Sequence, residues 1–164
     1  MGRRPLDFYE TPEHYVKQIL PQVPTDASVF EPCVGDGAIS RFFPGRCRTN
    51  DLDPLHTADT HFDATESWPK DHYDWVITNP PFKDAMSILW YAWHHANAVA
   101  MLLRISFFEP TRDRVAYLHR HPPQGLIYLP RYSFTQNGKS DSTTCVWGIW
   151  GVTVDPPIQI AKRF

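Results

Sequence analysis

Short apolar runs alternate with stretches of helical periodicity along most of this chain. Short runs of apolar residues predict strands, while apolar residues three and four positions apart predict amphipathic helices. The predicted strands cover residues 28–33, 47–54, 60–63, 74–79, 98–103, 125–130 and 143–152. The predicted helices cover residues 11–23, 35–43, 84–96 and 111–121. Strands that alternate with helices in this way indicate an α/β fold with a mainly parallel sheet.

The first helix and the last strand carry boundary signals. Thr11 is a candidate N-cap, and Pro12 suits the first helical position because its fixed φ fits the first turn. The polar segment 135–142 separates the sixth and seventh predicted strands, so the seventh strand is expected to fold back as a hairpin. The pattern therefore predicts seven strands, the last of them antiparallel.

Length and composition indicate one compact domain. A chain of 164 residues with 42% hydrophobic and 21% charged residues is ordinary for a globular protein. No apolar run approaches the ~20 residues that a membrane helix needs, and no apolar segment of a secretory signal follows the basic start. Three cysteines without close spacing fit neither a disulfide framework nor a zinc knuckle. We therefore predict a cytoplasmic protein that does not contact a membrane.

The net charge of −2 argues against nucleic-acid binding by an overall positive charge. A nucleic-acid binder usually carries a basic excess, so binding here would need a local patch of cations. The candidate cations on the predicted catalytic side are Arg3, Arg4, Lys83, Arg104, Arg112, Arg114, Arg131 and Lys139. His94 and His95 are adjacent on a helix and cannot both face one metal ion, so no metal site is predicted.

The loops that follow the predicted strands carry the candidate chemistry, because ligands of parallel sheets bind at the carboxyl ends of the strands. The first loop, EPCVGDG, holds two glycines that permit close backbone approach, although a lone G-x-G is more often a plain tight turn. Ser40 stands where a third glycine would complete a phosphate-binding fingerprint. Asp51, at the end of the second strand, is placed to bind ribose hydroxyls, and Asp53 competes with it for that role.

The fourth strand ends in the segment NPPF, residues 79–82, which can continue neither a strand nor a helix. Asn-Pro and Pro-Pro pairs are common in ordinary turns, and the chain is rich in proline. Both prolines have a fixed φ and no N–H, and Pro80 also holds Asn79 in an extended conformation. The segment is therefore an unusually stiff loop at a position where ligands bind.

Taken in order, these loops resemble those of the N6-adenine DNA methyltransferases that depend on S-adenosylmethionine. The segments that carry the resemblance are FYETP, EPCVGDG, NDLDP, FDATESW and NPPF, which lie within residues 8–150. The resemblance implies the class I methyltransferase fold, which is a Rossmann-like sheet of seven mostly parallel strands with an antiparallel last strand and helices on both faces. It also implies S-adenosylmethionine as the cofactor. The small size is similar to that of methyltransferases carried by phages and mobile elements.

The resemblance assigns cofactor contacts to five loops. The Glu31 loop matches the family's loop that holds the amino acid moiety of the cofactor. Asp51 matches the acid that binds the cofactor ribose, and Asp63 matches the acid that accepts a hydrogen bond from the amino group of the cofactor adenine. The cofactor-binding residues carried over in this way are Thr11, Pro12, Glu31, Pro32, Cys33, Gly35, Gly37, Asp51, Leu52, Asp63, Ala64 and Asn79.

Asn79, Pro80, Pro81 and Phe82 match the catalytic motif of that family. The amino nitrogen of adenine is a poor nucleophile because its lone pair is delocalised into the ring. If the Asn79 side-chain oxygen and the Pro80 carbonyl each accept an amino hydrogen, the lone pair becomes localised and available for attack. Phe82 would stack on the target base. The further substrate contacts predicted are Lys83 and Phe134.

Two alternatives remain open at this point. The NPPF form also occurs in methyltransferases that act on ribosomal RNA, at adenine N6 or guanine N2, and some methyltransferase-fold subunits are catalytically silent partner modules. The few residues after the last predicted strand leave no room for a separate target-recognition domain. We therefore expect residues 1–164 to form a single catalytic domain. Its recognition sequence would be short or its sequence specificity relaxed, or a protein partner or a second copy in a homodimer would supply the specificity.

Overall fold

The computed structural model describes residues 10–130 and 144–161 of the chain. Its α-helices are α1 (Glu13–Ile19), α2 (Ala85–His95) and α3 (Arg112–Arg120), and short 3-10 helices span Leu20–Gln22, Ser40–Phe42 and Ile105–Phe108. Its strands are β1 (Val29–Glu31), β2 (Cys47–Thr49), β3 (Tyr73–Thr78), β4 (Ala96–Arg104), β5 (Gly125–Tyr128), β6 (Cys145–Trp150) and β7 (Ile158–Ile160).

The strands form one mixed sheet in the order β2-β1-β3-β4-β6-β5-β7. β1 runs parallel to β2 and β3, and β3 runs parallel to β4. β6 lies between β4 and β5 and is antiparallel to both, while β7 pairs in parallel with β5 at the edge. β6 is the seventh strand of the sequence-based prediction, so its antiparallel direction is confirmed. The predicted class, a mostly parallel seven-stranded sheet, is confirmed as well.

Helices cover both faces of this sheet and bury a core on each. On one face, Val16 and Ile19 of α1 pack in the same cluster as Trp75 and Ile77 of β3. On the other face, α2 and the partly buried residues of α3 pack with Val76 of β3. Successive β3 residues thus point to opposite faces, and both are covered, as parallel strands require. Within the described residues, no helix is long and apolar enough to span a bilayer.

The predicted strand at 60–63 is wrong. This segment makes only an isolated parallel bridge between Asn50 and Thr60. Side chains satisfy the neighbouring backbone donors that a ladder would have used, since the Thr49 N–H donates to Asp59 Oδ2 at 2.8 Å and the Phe62 N–H to Asn50 Oδ1 at 3.0 Å. Asx-type side-chain bonds of this kind compete with regular strand pairing. The seventh strand of the sheet is instead β7. The hydrophobic pattern did not predict it, because it is short and follows two prolines.

The predicted helix at 35–43 is also wrong. Residues 35–39 form turns, and only the 3-10 turn Ser40–Phe42 follows. Gly35 and Gly37 have φ angles of 51° and 74°, which a right-handed helix cannot contain, and Pro44 disfavours helical geometry at Phe43, so no regular helix forms there. α1 begins one residue later than predicted, because Pro12 is its N-cap and the Thr11 side chain contacts a different part of the molecule.

Candidate active site

A cleft of about 270 Å³ opens at the carboxyl ends of β1, β2 and β3, where the loops predicted to carry the chemistry meet. The predicted site residues that line it are Thr11, Glu31, Pro32, Cys33, Gly35, Asp51, Leu52, Asp63, Ala64, Asn79, Pro80, Pro81, Phe82 and Lys83. Pro12 and Gly37 are adjacent to the cleft lining but not part of it. Phe134 lies outside the described residues, as do four of the candidate cations, Arg3, Arg4, Arg131 and Lys139.

Asp51 holds the glycine loop in place. The Gly35 N–H donates to Asp51 Oδ2 at 2.8 Å, and the Asp53 N–H donates to Asp51 Oδ1 at 2.9 Å. Gly35 and Gly37 have φ angles of 51° and 74°, which glycine adopts without strain. Both aspartates line the cleft, but only Asp51 is bonded to the glycine loop, while Asp53 Oδ1 accepts from the Leu55 N–H at 2.9 Å. Because the expected helix is missing, these bonds replace helix packing as the support of the loop.

His56 is a cleft residue that the sequence analysis missed. Its Nδ1 lies 3.2 Å from Asp51 Oδ1, and its Nε2 lies 4.0 Å from Asp36 Oδ1. The imidazole thus sits between the Asp51 carboxylate and Asp36, an exposed acid of the glycine loop. The only signal in the sequence was a histidine close behind the NDLDP segment, which does not by itself indicate contact.

Glu31 ends β1 inside the cleft with only 1% of its surface exposed. Burial raises the pKa of Glu31 well above its usual value, and hydrogen bonds from the backbone and side chain of Ser40 oppose that rise. Among residues 10–130 and 144–161, its Oε2 has no hydrogen-bond partner. A buried carboxylate oxygen without a partner is costly, so this atom is an acceptor available to a cationic or N–H group of a ligand.

Asp63 also lines the cleft, and its carboxylate is held by Thr65. The Thr65 hydroxyl and the Thr65 N–H both donate to Asp63 Oδ1, at 2.6 and 2.8 Å. These hydrogen bonds lower the pKa of Asp63, so the carboxylate is ionised at neutral pH. Phe62 and Ala64 line the cleft on either side of it and supply apolar surface.

Asn79 is fixed at the end of β3. Its Nδ2 donates to the hydroxyl of Thr11 at 3.0 Å, and Thr11 is itself buried with 7% exposure. This bond uses an N–H of the amide, so it does not consume the side-chain oxygen. Pro80 is buried, and the Asp84 N–H donates to the Pro81 carbonyl at 2.9 Å, which closes the loop as a turn. The NPPF loop is therefore held by its prolines and by contacts at both ends.

The Arg104 guanidinium lies over the ring of Phe82, with its central carbon 4.5 Å from the ring centroid. Arg104 is the last residue of β4, the strand next to β3, so the sheet itself brings the pair together. A cation over an aromatic face contributes about 0.5–2 kcal/mol and restrains the ring. The sequence analysis named Arg104 as a candidate cation but did not predict its contact with Phe82.

The remaining predicted cations differ in their surroundings. Arg114 donates to the carbonyls of Ser106 and Phe107 at 2.8 and 3.4 Å, which ties α3 to the preceding turn. Lys83 is exposed and pairs with Asp84 at 3.4 Å, and Arg112 is exposed at the start of α3.

The Cys33 thiol is not prepared as a nucleophile, because burial and nearby carboxylates raise its pKa. Its position in the cleft lining fits a packing role beside the Glu31 carboxyl. Among the described residues, no group of three or more His, Cys, Asp or Glu side chains is arranged to hold a metal ion.

Solved structures of methyltransferases share this architecture. The methyltransferase subunit of a type I restriction-modification system from Streptococcus thermophilus has a TM-score of 0.67 at 15% identity, over 87% of this chain and 44% of that one. A protein from Listeria monocytogenes assigned as a class I S-adenosylmethionine-dependent methyltransferase has a TM-score of 0.62 at 13% identity, over 90% of this chain and 62% of that one. This chain has the class I methyltransferase fold.

A third structure extends the comparison to a protein of similar length. It is assigned as an RNA methyltransferase from Pyrococcus horikoshii and has a TM-score of 0.65 at 15% identity, over 91% of this chain and 88% of that one. The chain thus spans less than two thirds of the first two proteins and most of the third. No protein-family profile matches the sequence, and no curated protein does.

Proposed function

We propose that this chain is an S-adenosylmethionine-dependent methyltransferase that methylates the N6 amino group of adenine in DNA, with short or relaxed sequence specificity. The observation that carries the proposal is that Asn79, Pro80, Pro81 and Phe82 line the same cleft as Glu31, Asp51 and Asp63. The class I methyltransferase fold of the chain supports it.

The side chains of the cleft fit S-adenosylmethionine. Glu31 Oε2, buried and without a partner, suits the ammonium group of the methionine moiety. Asp51 and Asp63 supply carboxylates for the ribose hydroxyls and the adenine amino group, and Phe62 supplies apolar surface for the base. When bound, S-adenosylmethionine would supply a methyl group made electrophilic by the positive sulfonium.

The NPPF loop fits the acceptor amine. Asn79 is anchored through its Nδ2 on Thr11, so its Oδ1 belongs to a side chain of fixed orientation. Oδ1 and the Pro80 carbonyl each accept one amino hydrogen and so favour a localised lone pair on the nitrogen. This is electrostatic stabilisation by preorganised groups, and it needs no strong base. Phe82, restrained by Arg104, provides the surface on which a base leaving its helix can stack.

DNA is the proposed acceptor because the NPPF segment and the order of the loops resemble the N6-adenine DNA enzymes. Arg104 and Lys83 beside the cleft supply cations for the nucleic-acid backbone. Specificity beyond the target base would come from a protein partner or a second copy of the chain. The three thiols, which form no disulfide, suit a reducing cytoplasm.

RNA is the second candidate acceptor, favoured by one observation. The Pyrococcus horikoshii protein assigned as an RNA methyltransferase matches this chain over most of both lengths, whereas the restriction-modification subunit is more than twice as long as the matched part. The substrate would then be adenine N6 or guanine N2.

Identification of the product tests both candidates. The protein is incubated with methyl-labelled S-adenosylmethionine and, separately, with double-stranded DNA, single-stranded DNA, RNA and protein acceptors. Mass spectrometry of the digested acceptors is expected to find N6-methyldeoxyadenosine. A methylated nucleoside found only in RNA would establish the second candidate, and label found only in protein would contradict both. The Asn79→Ala protein, purified in parallel, reports any contaminating methyltransferase.

A further inference from the structure

Asn50 is a fully buried polar residue that the proposed chemistry does not use. It follows β2 directly, has 0% exposure, and is not part of the cleft lining. Its side-chain amide makes four hydrogen bonds. The Nδ2 group donates to the carbonyls of Pro32 and Phe62, both at 3.0 Å, and Oδ1 accepts from the Phe62 N–H at 3.0 Å and the Thr60 hydroxyl at 3.1 Å.

These bonds use the complete capacity of the amide. A primary amide has two N–H donors and two acceptor lone pairs, and each is matched here by a group of the required type. The backbone of Asn50 adds two bonds, because its N–H donates to the Glu31 carbonyl and its carbonyl accepts from the Val34 N–H, both at 2.9 Å. A buried amide with every group satisfied fixes the relative positions of its partners.

The partners of Asn50 belong to two loops that line the cleft, which we call the Glu31 wall and the Asp63 wall. Pro32 and Val34 lie in the loop after β1, beside Glu31, and Phe62 lies in residues 60–63, called the edge segment here, beside Asp63. The edge segment is not held by a strand ladder, since its pairing with β2 is a single bridge at Thr60. The two bonds between Asn50 and Phe62 and the bond from the Thr60 hydroxyl, together with the bonds from Thr49 to Asp59, therefore take over the support that an edge strand would provide.

We propose that Asn50 is a positioning residue that sets the distance between the Glu31 wall and the Asp63 wall, and thereby the affinity for S-adenosylmethionine. The inference rests on the proposed function, in which those walls hold opposite ends of one cofactor. A ligand that contacts both walls binds tightly only when their separation is preset, since otherwise binding must order the edge segment. Asn50 acts on the cofactor through Phe62 and Pro32 and touches no reacting atom.

The Asn50→Asp variant isolates this role. It keeps the shape of the side chain but removes both N–H donors, so an ionised carboxylate repels the carbonyls of Pro32 and Phe62 and a protonated carboxyl restores only one of the two bonds. Asn97→Asp is the matched control, because Asn97 also joins two segments through His72 and Asp74, at 3.0 and 3.5 Å. Those contacts lie at the start of β4 and involve no residue of the cleft lining.

Two measurements are made on each protein. Calorimetric titration with S-adenosylmethionine is expected to give an affinity at least about tenfold weaker for Asn50→Asp and unchanged within about twofold for Asn97→Asp. Hydrogen exchange of the protein without ligand is expected to be faster at the Phe62 and Thr65 amides in Asn50→Asp only. In turnover assays, KM for S-adenosylmethionine should rise, with KM for the nucleic acid and kcat little changed.

The outcomes separate this inference from the proposed function. If wild-type protein binds S-adenosylmethionine and Asn50→Asp binds it equally well, the positioning role is overturned and the proposed function stands. If wild-type protein does not bind it, the proposed function fails and this inference fails with it.

If Asn50→Asp does not fold, Thr60→Val replaces it. This variant removes the Thr60 hydroxyl, which contacts Asn50 Oδ1 at 3.1 Å and the Thr49 carbonyl at 3.2 Å, and leaves both Nδ2 bonds intact. A loss of affinity of about twofold to fivefold supports the positioning role, and unchanged affinity with unchanged exchange at Phe62 overturns it.

Discussion

The NPPF loop and the cofactor loops of the same cleft are held rigid in different ways. The NPPF loop is stiffened by covalent geometry, because two consecutive prolines fix φ directly after the end of β3. The loops after β1 and β2 contain no such pair and are held by hydrogen bonds to the Asp51 carboxylate and from the Asn50 amide. Stiffness of the first kind is local to a few residues, whereas stiffness of the second kind depends on partners distant in sequence.

This difference suits the tasks proposed for the two regions. Two acceptors must face one small amino group, which requires accuracy over a few residues and favours a stiff covalent unit. A cofactor that spans the cleft needs loops from several strands at set separations, and only bonds between distant segments can provide that. Removal of a group from the NPPF loop should therefore reduce turnover, and removal of a bond from the cofactor loops should reduce affinity.

Asn79→Ala is expected to have the largest effect. Loss of one preorganised acceptor should lower kcat by about 100- to 1,000-fold, as loss of a single transition-state hydrogen bond does in other enzymes. Affinity for S-adenosylmethionine should change little, and this is measured by calorimetric titration. Turnover that survives the substitution would contradict the acceptor role.

Asp51→Ala is expected to weaken cofactor binding by about 10- to 100-fold, which corresponds to the ~1–3 kcal/mol cost of leaving buried donors unpaired. The variant loses both the proposed ribose contact and the bond that holds the Gly35 N–H. Asp53→Ala is the matched control and should have a clearly smaller effect. If Asp53→Ala has the larger effect, Asp53 is the ribose acid.

Pro80→Ala tests stiffness separately from chemistry, because the carbonyl of residue 80 and the Asn79 side chain both remain. Added backbone freedom should lower kcat by about tenfold. Pro54→Ala is the comparison in the loop after β2, which hydrogen bonds hold. Pro54 is exposed there, and the Leu55 N–H after it donates to the Asp53 carboxylate before it. It should change neither kcat nor cofactor affinity by more than about twofold, since bonds and not the proline hold that loop.

Glu31→Gln is expected to give the smallest effect in free energy, and it concerns stability. A raised pKa means that the folded protein binds the Glu31 proton more tightly than the unfolded chain, whose ordinary value is 4.5. Glu31 therefore costs stability as pH rises from that value through the raised pKa. At pH 7, Glu31→Gln should therefore raise the free energy of unfolding, because the glutamine amide has no charge to bury.

Denaturant unfolding at pH 4 and pH 7 measures this change, and the gain should shrink at the lower pH, where Glu31 is protonated in both states. The same variant should bind S-adenosylmethionine more weakly. A wild-type protein whose stability does not fall relative to Glu31→Gln as pH rises would contradict the buried, unpaired state of the carboxyl.

The fold was predictable where a segment has enough apolar residues to define its own period. β3, β4 and β6 are long buried runs, and α2 and α3 have clear helical periodicity, so each was predicted within a few residues. Failures came from short segments in which glycine conformations or side-chain bonds compete with regular structure. The positive φ angles of Gly35 and Gly37 prevent the helix expected at 35–43, and bonds to the side chains of Asp59 and Asn50 replace the strand expected at 60–63.

By itself the sequence determined the stiff NPPF loop and the order of the loops that carry polar side chains. Proline geometry and apolar runs act between neighbouring residues, so they are visible in one dimension. Only the tertiary structure decided that Thr11 anchors Asn79, that Arg104 covers Phe82, that His56 lies beside Asp51 and that Asn50 joins the two walls. Those contacts form between groups that become neighbours only when the sheet assembles, and no local pattern encodes the pairing.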